Sequence, residues 1–403
     1  MLSLADVEAA RDRVTEVARV TPMEYSHSFS RMTGAEIYTK LENFQRTGSF
    51  KIRGATNRIA TLSDEEKAAG VITASAGNHA QGVALAATRA GVDAKIVMPE
   101  HAPIAKVEAT EAYGGAVELF GADYNDAQAR AHEIETQEGR TYVHAFDDEY
   151  VMAGQGTIGL EIAEQCPDVD TVVVPIGGGG LISGIATALK ERLDDVRVIG
   201  VQAEGASSVA DSLAKGRRQE LDAVDTIADG IATRSVGEKP WEIIQQRVDE
   251  VVTVSDNEIA LALTYLLERS KTMVEGAGAV PLAAVLSEAF DFEEGEVIVP
   301  ALCGGNIDLN DLTTVVMRGL VQMGRYIKIR TELKDNPGSL ERLVEIVAEK
   351  NANIYAISHD RTSRDIAMNA AEVVMDIETH GHDHVDELLA ALEARGYEVE
   401  TLV

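Results

Sequence analysis

Thr171-Val172-Val173-Val174-Pro175-Ile176-Gly177-Gly178-Gly179-Gly180-Leu181 runs from a β-branched apolar segment, through four consecutive glycines, into the helical pattern ISGIATALKERL of residues 182–193. A continuous apolar run of this kind is a strand covered on both faces, as in a parallel sheet. Four glycines together cost conformational entropy that close approach of a ligand best explains. A strand–glycine–helix join turns several backbone N–H groups toward one point, where an oxyanion fits. A phosphate is one occupant. A dinucleotide is another: it would use Gly178, Gly180 and Gly184, with Glu204 closing the next strand as the ribose acid. The glycine spacing is one residue off that fingerprint, and the motif opens no N-terminal βαβ unit.

Working outward, short apolar runs at 71–74, 94–98, 117–120, 142–145 and 196–201 alternate with helical stretches such as AQGVALAATRAG (80–91) and PIAKVEATEAYG (103–114). Strands alternating with helices of this length predict an α/β fold with doubly wound, mostly parallel sheets. The tail is ordered differently. Strands are expected at 324–333, 353–359, 368–377 and 397–402, with helices at 338–350 and 383–395. That is a βαββαβ, ferredoxin-like unit, and the boundary falls near Met323.

The chain has 403 residues, 45% apolar and 26% charged, a balance that excludes disordered and fibrous classes. Asp plus Glu number 67 against 36 Lys plus Arg, a net charge of −31, and 24 of the basic residues are Arg. Such a surface repels phosphate backbones and anionic lipid, so neither nucleic acid nor membrane is an expected partner. Diffuse acidity with few lysines suits multimolar salt, where screening relieves self-repulsion. Cys166 and Cys303 stand far apart without metal-ligand spacing, and the first residues, MLSLADVEAARDRV, are too charged for a secretion signal. With no apolar stretch of about 18 residues, a cytoplasmic protein is expected.

Three further stretches carry chemistry. In Thr47-Gly48-Ser49-Phe50-Lys51-Ile52-Arg53-Gly54-Ala55, Lys51 precedes a helical segment beside apolar surface. Desolvation there lowers an amine's pKa and makes it a nucleophile toward carbonyl compounds; a solvated lysine at a helix start reads the same way. Ser75-Ala76-Gly77-Asn78-His79 joins strand to helix and suits a carboxylate, although Ser75 or Asn78 could simply cap the helix and His79 could be a core residue. EVIVP (296–300) leads to Cys303-Gly304-Gly305-Asn306, a small polar group at a parallel strand's C-terminal edge, where ligands bind; a buried hydrophobe is the alternative for Cys303. Together these are the parts of one cofactor site.

The combination resembles the pyridoxal-phosphate enzymes of the tryptophan-synthase-β fold type, and within them the serine/threonine ammonia-lyases. The resemblance covers about residues 1–320; the tail is similar to a single ACT domain, chiefly by strand order and the turn Asp335-Asn336-Pro337-Gly338. It implies a catalytic domain over 1–322, whose smaller lobe spans roughly 50–147, and an ACT regulatory domain over 323–403. Lys51 would carry pyridoxal 5'-phosphate, with Phe50 packed beside it. Gly177, Gly178, Gly179, Gly180 and Leu181 would bind the phosphate, Asn78 the ring hydroxyl, and Cys303 would face the pyridine nitrogen. Ser75, Ala76, Gly77 and His79 would line the substrate-carboxylate loop, and Asn336, Pro337 and Gly338 a regulatory site. Related serine racemases place a serine where this chain has Ala76, and acidic metal ligands where Gln202 and Ser208 stand, so racemisation should be poor and no divalent metal is expected. The implied reaction is L-threonine to 2-oxobutanoate and ammonia, the entry to isoleucine synthesis, with L-serine also accepted. A homotetramer answering to an amino-acid effector, isoleucine or valine, follows from the same resemblance. A serine-preferring lyase or racemase, or a non-catalytic amino-acid sensor, are the alternatives.

Overall fold

The computed structural model describes residues 2–362 and 367–403. They form two compact units, Met1–Asp308 and Leu309–Val403. The helix Leu309–Gln322 groups with the second unit, whereas the boundary expected from the sequence follows it.

The first unit holds two sheets. One has six strands in the order Met23–Tyr25, Glu36–Lys40, Val297–Pro300, Thr171–Pro175, Arg197–Ala203 and Glu250–Val254. All its pairings are parallel except the first. The second sheet is parallel throughout, in the order Ala116–Leu119, Ala94–Met98, Val71–Ala74, Thr141–Tyr142. Val71–Ala74 and Thr171–Pro175 are buried at every residue, which is why, Thr73 and Thr171 apart, they are apolar without alternation. The run expected at 142–145 ends as a strand at Tyr142, because the Val143 carbonyl leaves the ladder: it accepts from Thr73 Oγ1 at 2.9 Å and contacts His79 Nε2 at 2.9 Å.

Small residues set the helix crossings that carry the site. A Cβ at Gly184 would press into the backbone of Met152 and Gly156, so helices Gly180–Arg192 and Glu149–Gln165 meet backbone to backbone. The helix Lys51–Ala60 lies against Glu149–Gln165 in the same manner, with a Cβ at Gly154 only 2.6 Å from the Arg53 carbonyl. Gly82 on helix Asn78–Ala90 faces the Lys51 and Ile52 backbone at 3.0–3.2 Å, so Asn78 and Lys51 start neighbouring helices.

Beneath Lys51 is a cluster of charges that no periodicity announces. Arg53, Lys40 and Glu42 are at most 1% exposed and Glu161 is 7% exposed. Arg53 binds Glu42 through Nε (2.8 Å) and Nη2 (2.7 Å), and Glu161 through Nη1 (2.6 Å) and Nη2 (3.0 Å). Lys40 Nζ donates to Glu161 at 2.6 Å and to Gln165 Oε1 at 3.0 Å. Two cations face two anions, so the cluster is neutral and hydrogen-bonded, the condition under which buried charge is tolerated.

The second unit is a four-stranded antiparallel sheet ordered Asn353–Asp360, Ala370–Glu378, Tyr326–Lys334, Val399–Thr401. Tyr326–Lys334 and Ala370–Glu378 alternate buried residues with half-buried or exposed ones, and helices Ser339–Glu349 and His382–Ala394 contribute Leu343, Ile346, Leu388 and Leu392 to the same core. The chain order is the expected βαββαβ. Asn336, Pro337 and Gly338 form the turn before Ser339–Glu349, with Gly338 at φ +82°. Among the described residues no helix is long and apolar enough to cross a membrane.

Candidate active site

A cavity of about 720 Å³ in the first unit brings the dispersed motifs together: Phe50 and Lys51, Ser75 to His79, Gly177 to Leu181, and Cys303 all line it. Each reaches it from the C-terminal edge of a parallel strand or the first turn of a helix, where α/β folds gather ligands.

Lys51 opens its helix with no side-chain cap before it. Its Nζ donates to the Ala145 carbonyl at 3.0 Å and lies 5.2 Å from the centre of the Phe50 ring. Burial pushes the amine down to about 8, with Glu275 and Cys303 pulling the other way. An appreciable fraction is therefore neutral and nucleophilic near neutral pH.

The glycine run is packed from outside. A Cβ at Gly178 would strike the Phe146 ring, one at Gly180 the Phe146 backbone, and one at Gly177 the Ile231 backbone; Gly179 adopts φ +89°. Among the described residues, none accepts a hydrogen bond from the backbone N–H groups of Gly177, Gly178, Gly179, Gly180 or Leu181. Buried N–H groups are seldom left without a partner, and five at one helix start fit the oxygens of a phosphate. The residues present therefore fit a phosphorylated aldehyde: a nucleophilic amine for its aldehyde at Lys51 and N–H donors for its anion at the glycines. Gln202 supports the loop, since its fully buried amide donates to Ala206 O at 3.0 Å and Ile176 O at 3.4 Å.

Asn78 is held from two sides. Its Nδ2 donates to Glu275 Oε1 at 2.7 Å, and its Oδ1 accepts from Asn306 Nδ2 at 2.7 Å. Ser75 Oγ accepts from the Gly77 N–H at 3.2 Å. His79 is 3% exposed and its Nε2 faces the Val143 carbonyl; burial, with the Lys51 charge beside it, drives its pKa down to about 3, so the ring is neutral. Cys303 is 3% exposed, its Sγ donates to Ala301 O at 3.1 Å, and burial pushes the thiol well up. A neutral group thus stands at that strand end.

The model of the family described as "Pyridoxal-phosphate dependent enzyme" matches residues 14–304. The chain belongs to that family. It is 48% identical over 402 residues to the L-threonine ammonia-lyase of Geobacter sulfurreducens, covering 100% of both chains. Among solved structures it resembles the processed form of threonine deaminase isoform 2 from Solanum lycopersicum, at 42% identity and TM-score 0.76 over 79% of this chain and 87% of that one. Maize serine racemase is similar at 37% identity and TM-score 0.75, covering 80% and 98%. The cofactor of this family is pyridoxal phosphate, which overturns the dinucleotide reading. The fold gives the physical reason: Gly184 is used against Met152 and Gly156, and Glu204 is itself exposed where it opens a 3-10 turn.

Sequence reasoning passed over Glu275, Asn306, the Ala145 carbonyl and Phe146. Glu275 left one signal, a lone acid ahead of the wholly apolar helix GAGAVPLAAVL. Asn306 was within a quoted motif but carried no role.

Proposed function

We propose that this chain is a threonine ammonia-lyase, converting L-threonine to 2-oxobutanoate and ammonia and L-serine to pyruvate. The observation that carries the reading is the meeting of an amine lowered to about 8 with five unpartnered N–H groups in one cavity, in a chain alike along its whole length to an L-threonine ammonia-lyase. When bound, pyridoxal phosphate supplies an electron-withdrawing ring conjugated to the substrate nitrogen, which weakens the bonds at Cα. Lys51 would hold the cofactor by its Nζ, and the same amine, when free, would be the base that takes the substrate's Cα proton. Gly177, Gly178, Gly179, Gly180 and Leu181 hold the phosphate by backbone N–H groups. Asn78 keeps one amide N–H for the ring hydroxyl. Ser75, Ala76, Gly77 and His79 line the carboxylate loop, with His79 shaping it as a neutral buried ring. Cys303 would face the ring nitrogen as a neutral thiol, giving that nitrogen no anion to stay protonated against, a setting that suits elimination.

The likeness to maize serine racemase supports a second reading, racemisation of serine. Ala76 argues against it, because a methyl group carries no proton to the opposite face.

Within the second unit we read residues 323–403 as an ACT domain, following a catalytic domain of 1–322, with a branched-chain amino acid bound near Asn336, Pro337 and Gly338. The site set contains no metal ligand. A cytoplasmic homotetramer at the entry to isoleucine synthesis, working at high salt, completes the proposal; the net charge of −31 supports the last point. Oxo-acid release from threonine and serine, with and without isoleucine, tests it. Release from threonine is expected; release from neither substrate, with D-serine formed instead, would favour the racemase.

A further inference from the structure

Glu275 precedes the buried helix Gly276–Leu286, and no step above uses it. Its N–H donates to the Gly304 carbonyl at 3.0 Å, and its Oε1 is the acceptor for Asn78 Nδ2. The surrounding backbone leaves room for this acid: a side chain at Gly304 would collide with its carboxylate, and one at Gly230 would press on it at 3.2 Å. The ionisable groups acting on it come from four other elements. They are Lys51 on Lys51–Ala60, Lys106 on Ile104–Ala112, Asp229 on the turn Asp229–Ile231, and Cys303 beyond the strand Val297–Pro300. Burial raises Glu275 to about 7, while the Asn78 bond, Lys106 and Lys51 pull it down and Asp229 pushes it up. Lys51, lowered to about 8 by its own burial, answers to the same carboxylate. Glu275 and Lys51 line the same cavity, and an acid and an amine whose charges act on one another titrate as a coupled pair.

We propose that Glu275 is a positioning residue of the cofactor site, whose carboxylate orients the Asn78 amide and sets the charge of the Lys51 amine. The claim rests on the reading of Lys51 as the cofactor lysine, but its test does not. In ionised form Glu275 favours the ammonium of Lys51; as it gains a proton below pH 7 that support is withdrawn. A neutral glutamine keeps the oxygen that accepts from Asn78 and removes only the charge. A leucine removes both.

The full chain, stripped of cofactor, is labelled with trace acetic anhydride from pH 6 to 10, and the Lys51 peptide is quantified by mass spectrometry. Glu275→Gln is expected to move the half-labelling pH of Lys51 down by about one unit, the lower end of the shift that a nearby opposite charge produces, for a carboxylate lining the same cavity. An unchanged half-labelling pH overturns the proposal, since a merely structural role leaves that value alone. Separately, Glu275→Leu is expected to weaken pyridoxal-phosphate binding about tenfold, for one hydrogen bond lost at Asn78, with Glu275→Gln restoring it. Equal weakening in the two variants would overturn the Asn78 half. Labelling is done without cofactor and reads the titration of the free amine, whatever that amine later binds, so failure here is distinct from failure of the proposed function.

Discussion

Gly180→Ala converts the geometry of the glycine loop into a measurable loss. Gly180 begins the helix Gly180–Arg192, and its φ is not positive, so alanine suits the backbone itself. The obstacle is steric. The new Cβ would lie 2.7 Å from the Phe146 carbonyl oxygen and 2.8 Å from Phe146 Cα, whereas real Cβ atoms essentially never come within 3.0 Å of such atoms. Both obstructing atoms are backbone and cannot rotate away, so the loop itself must move by a few tenths of an ångström. Overpacking of this kind costs about 1–3 kcal/mol of stability. It would also turn the N–H groups of Gly180 and its neighbours away from the phosphate they are proposed to hold. Hydrogen bonds to a charged partner are worth about 1.5–3 kcal/mol each. Losing the equivalent of one or two gives about 3 kcal/mol, on the order of 100-fold in affinity. The assay is an absorbance titration of cofactor-free protein with pyridoxal phosphate. Gly139→Ala serves as control, because its Cβ meets nothing within 4 Å and it carries only the cost of φ +67°. An affinity within twofold of the unmodified chain, despite the expected loss of stability, would refute the phosphate role of this loop.

The remaining predictions concern charge. Arg53→Met leaves Glu42 and Glu161 facing each other without their shared cation, and should cost about 3–5 kcal/mol in urea unfolding; a loss under about 1 kcal/mol would mean the cluster is only loosely packed. Burial works against the Glu42 carboxylate, but Arg53, Lys40 and the Thr21 hydroxyl outweigh it and hold its pKa below the ordinary value. Its contribution is therefore present above about pH 4.3 and lost as pH falls through the depressed folded value, an acid limb that Arg53→Met should diminish. Cofactor loading of the stripped protein needs a neutral Lys51 amine, so its rate should rise about tenfold per pH unit below about pH 8 and then level off; a rise continuing toward pH 10.5 would place the reacting amine in solvent. With a net charge of −31, activity and far-ultraviolet ellipticity should persist in multimolar potassium chloride and fade in dilute buffer, and full activity without salt would contradict that.

The parallel sheets were legible because buried strands such as 171–175 and 71–74 are apolar at every position but Thr171 and Thr73, and the glycine run has few other uses. Lys51, Ser75 to His79 and Cys303 were legible as types at the right edges of the right strands. The polar links between them were not. Asn306 reaches Asn78 and Thr47 across 228 and 259 residues, and Asn78 reaches Glu275 across 197. Such pairings come from the packing of the lobes and leave no local period. The Lys40–Glu42–Arg53–Glu161 cluster escaped for a related reason: charged residues are read as solvated faces, and only the crossing of helices 51–60 and 149–165 over the strand 36–40 buries these four together. The strand at 142 ended early because Thr73 and His79 claim the Val143 carbonyl, a side-chain competition that an apolar run does not reveal.

The central claim is that the ε-amine of Lys51 carries the cofactor in the cavity closed by the glycine loop. Borohydride reduction of the loaded protein, followed by proteolysis and peptide mapping, tests it most directly. The pyridoxyl group is expected on the peptide containing Lys51, and on no peptide of Lys51→Ala. A tag on a different lysine, or none at all after loading, would contradict the account.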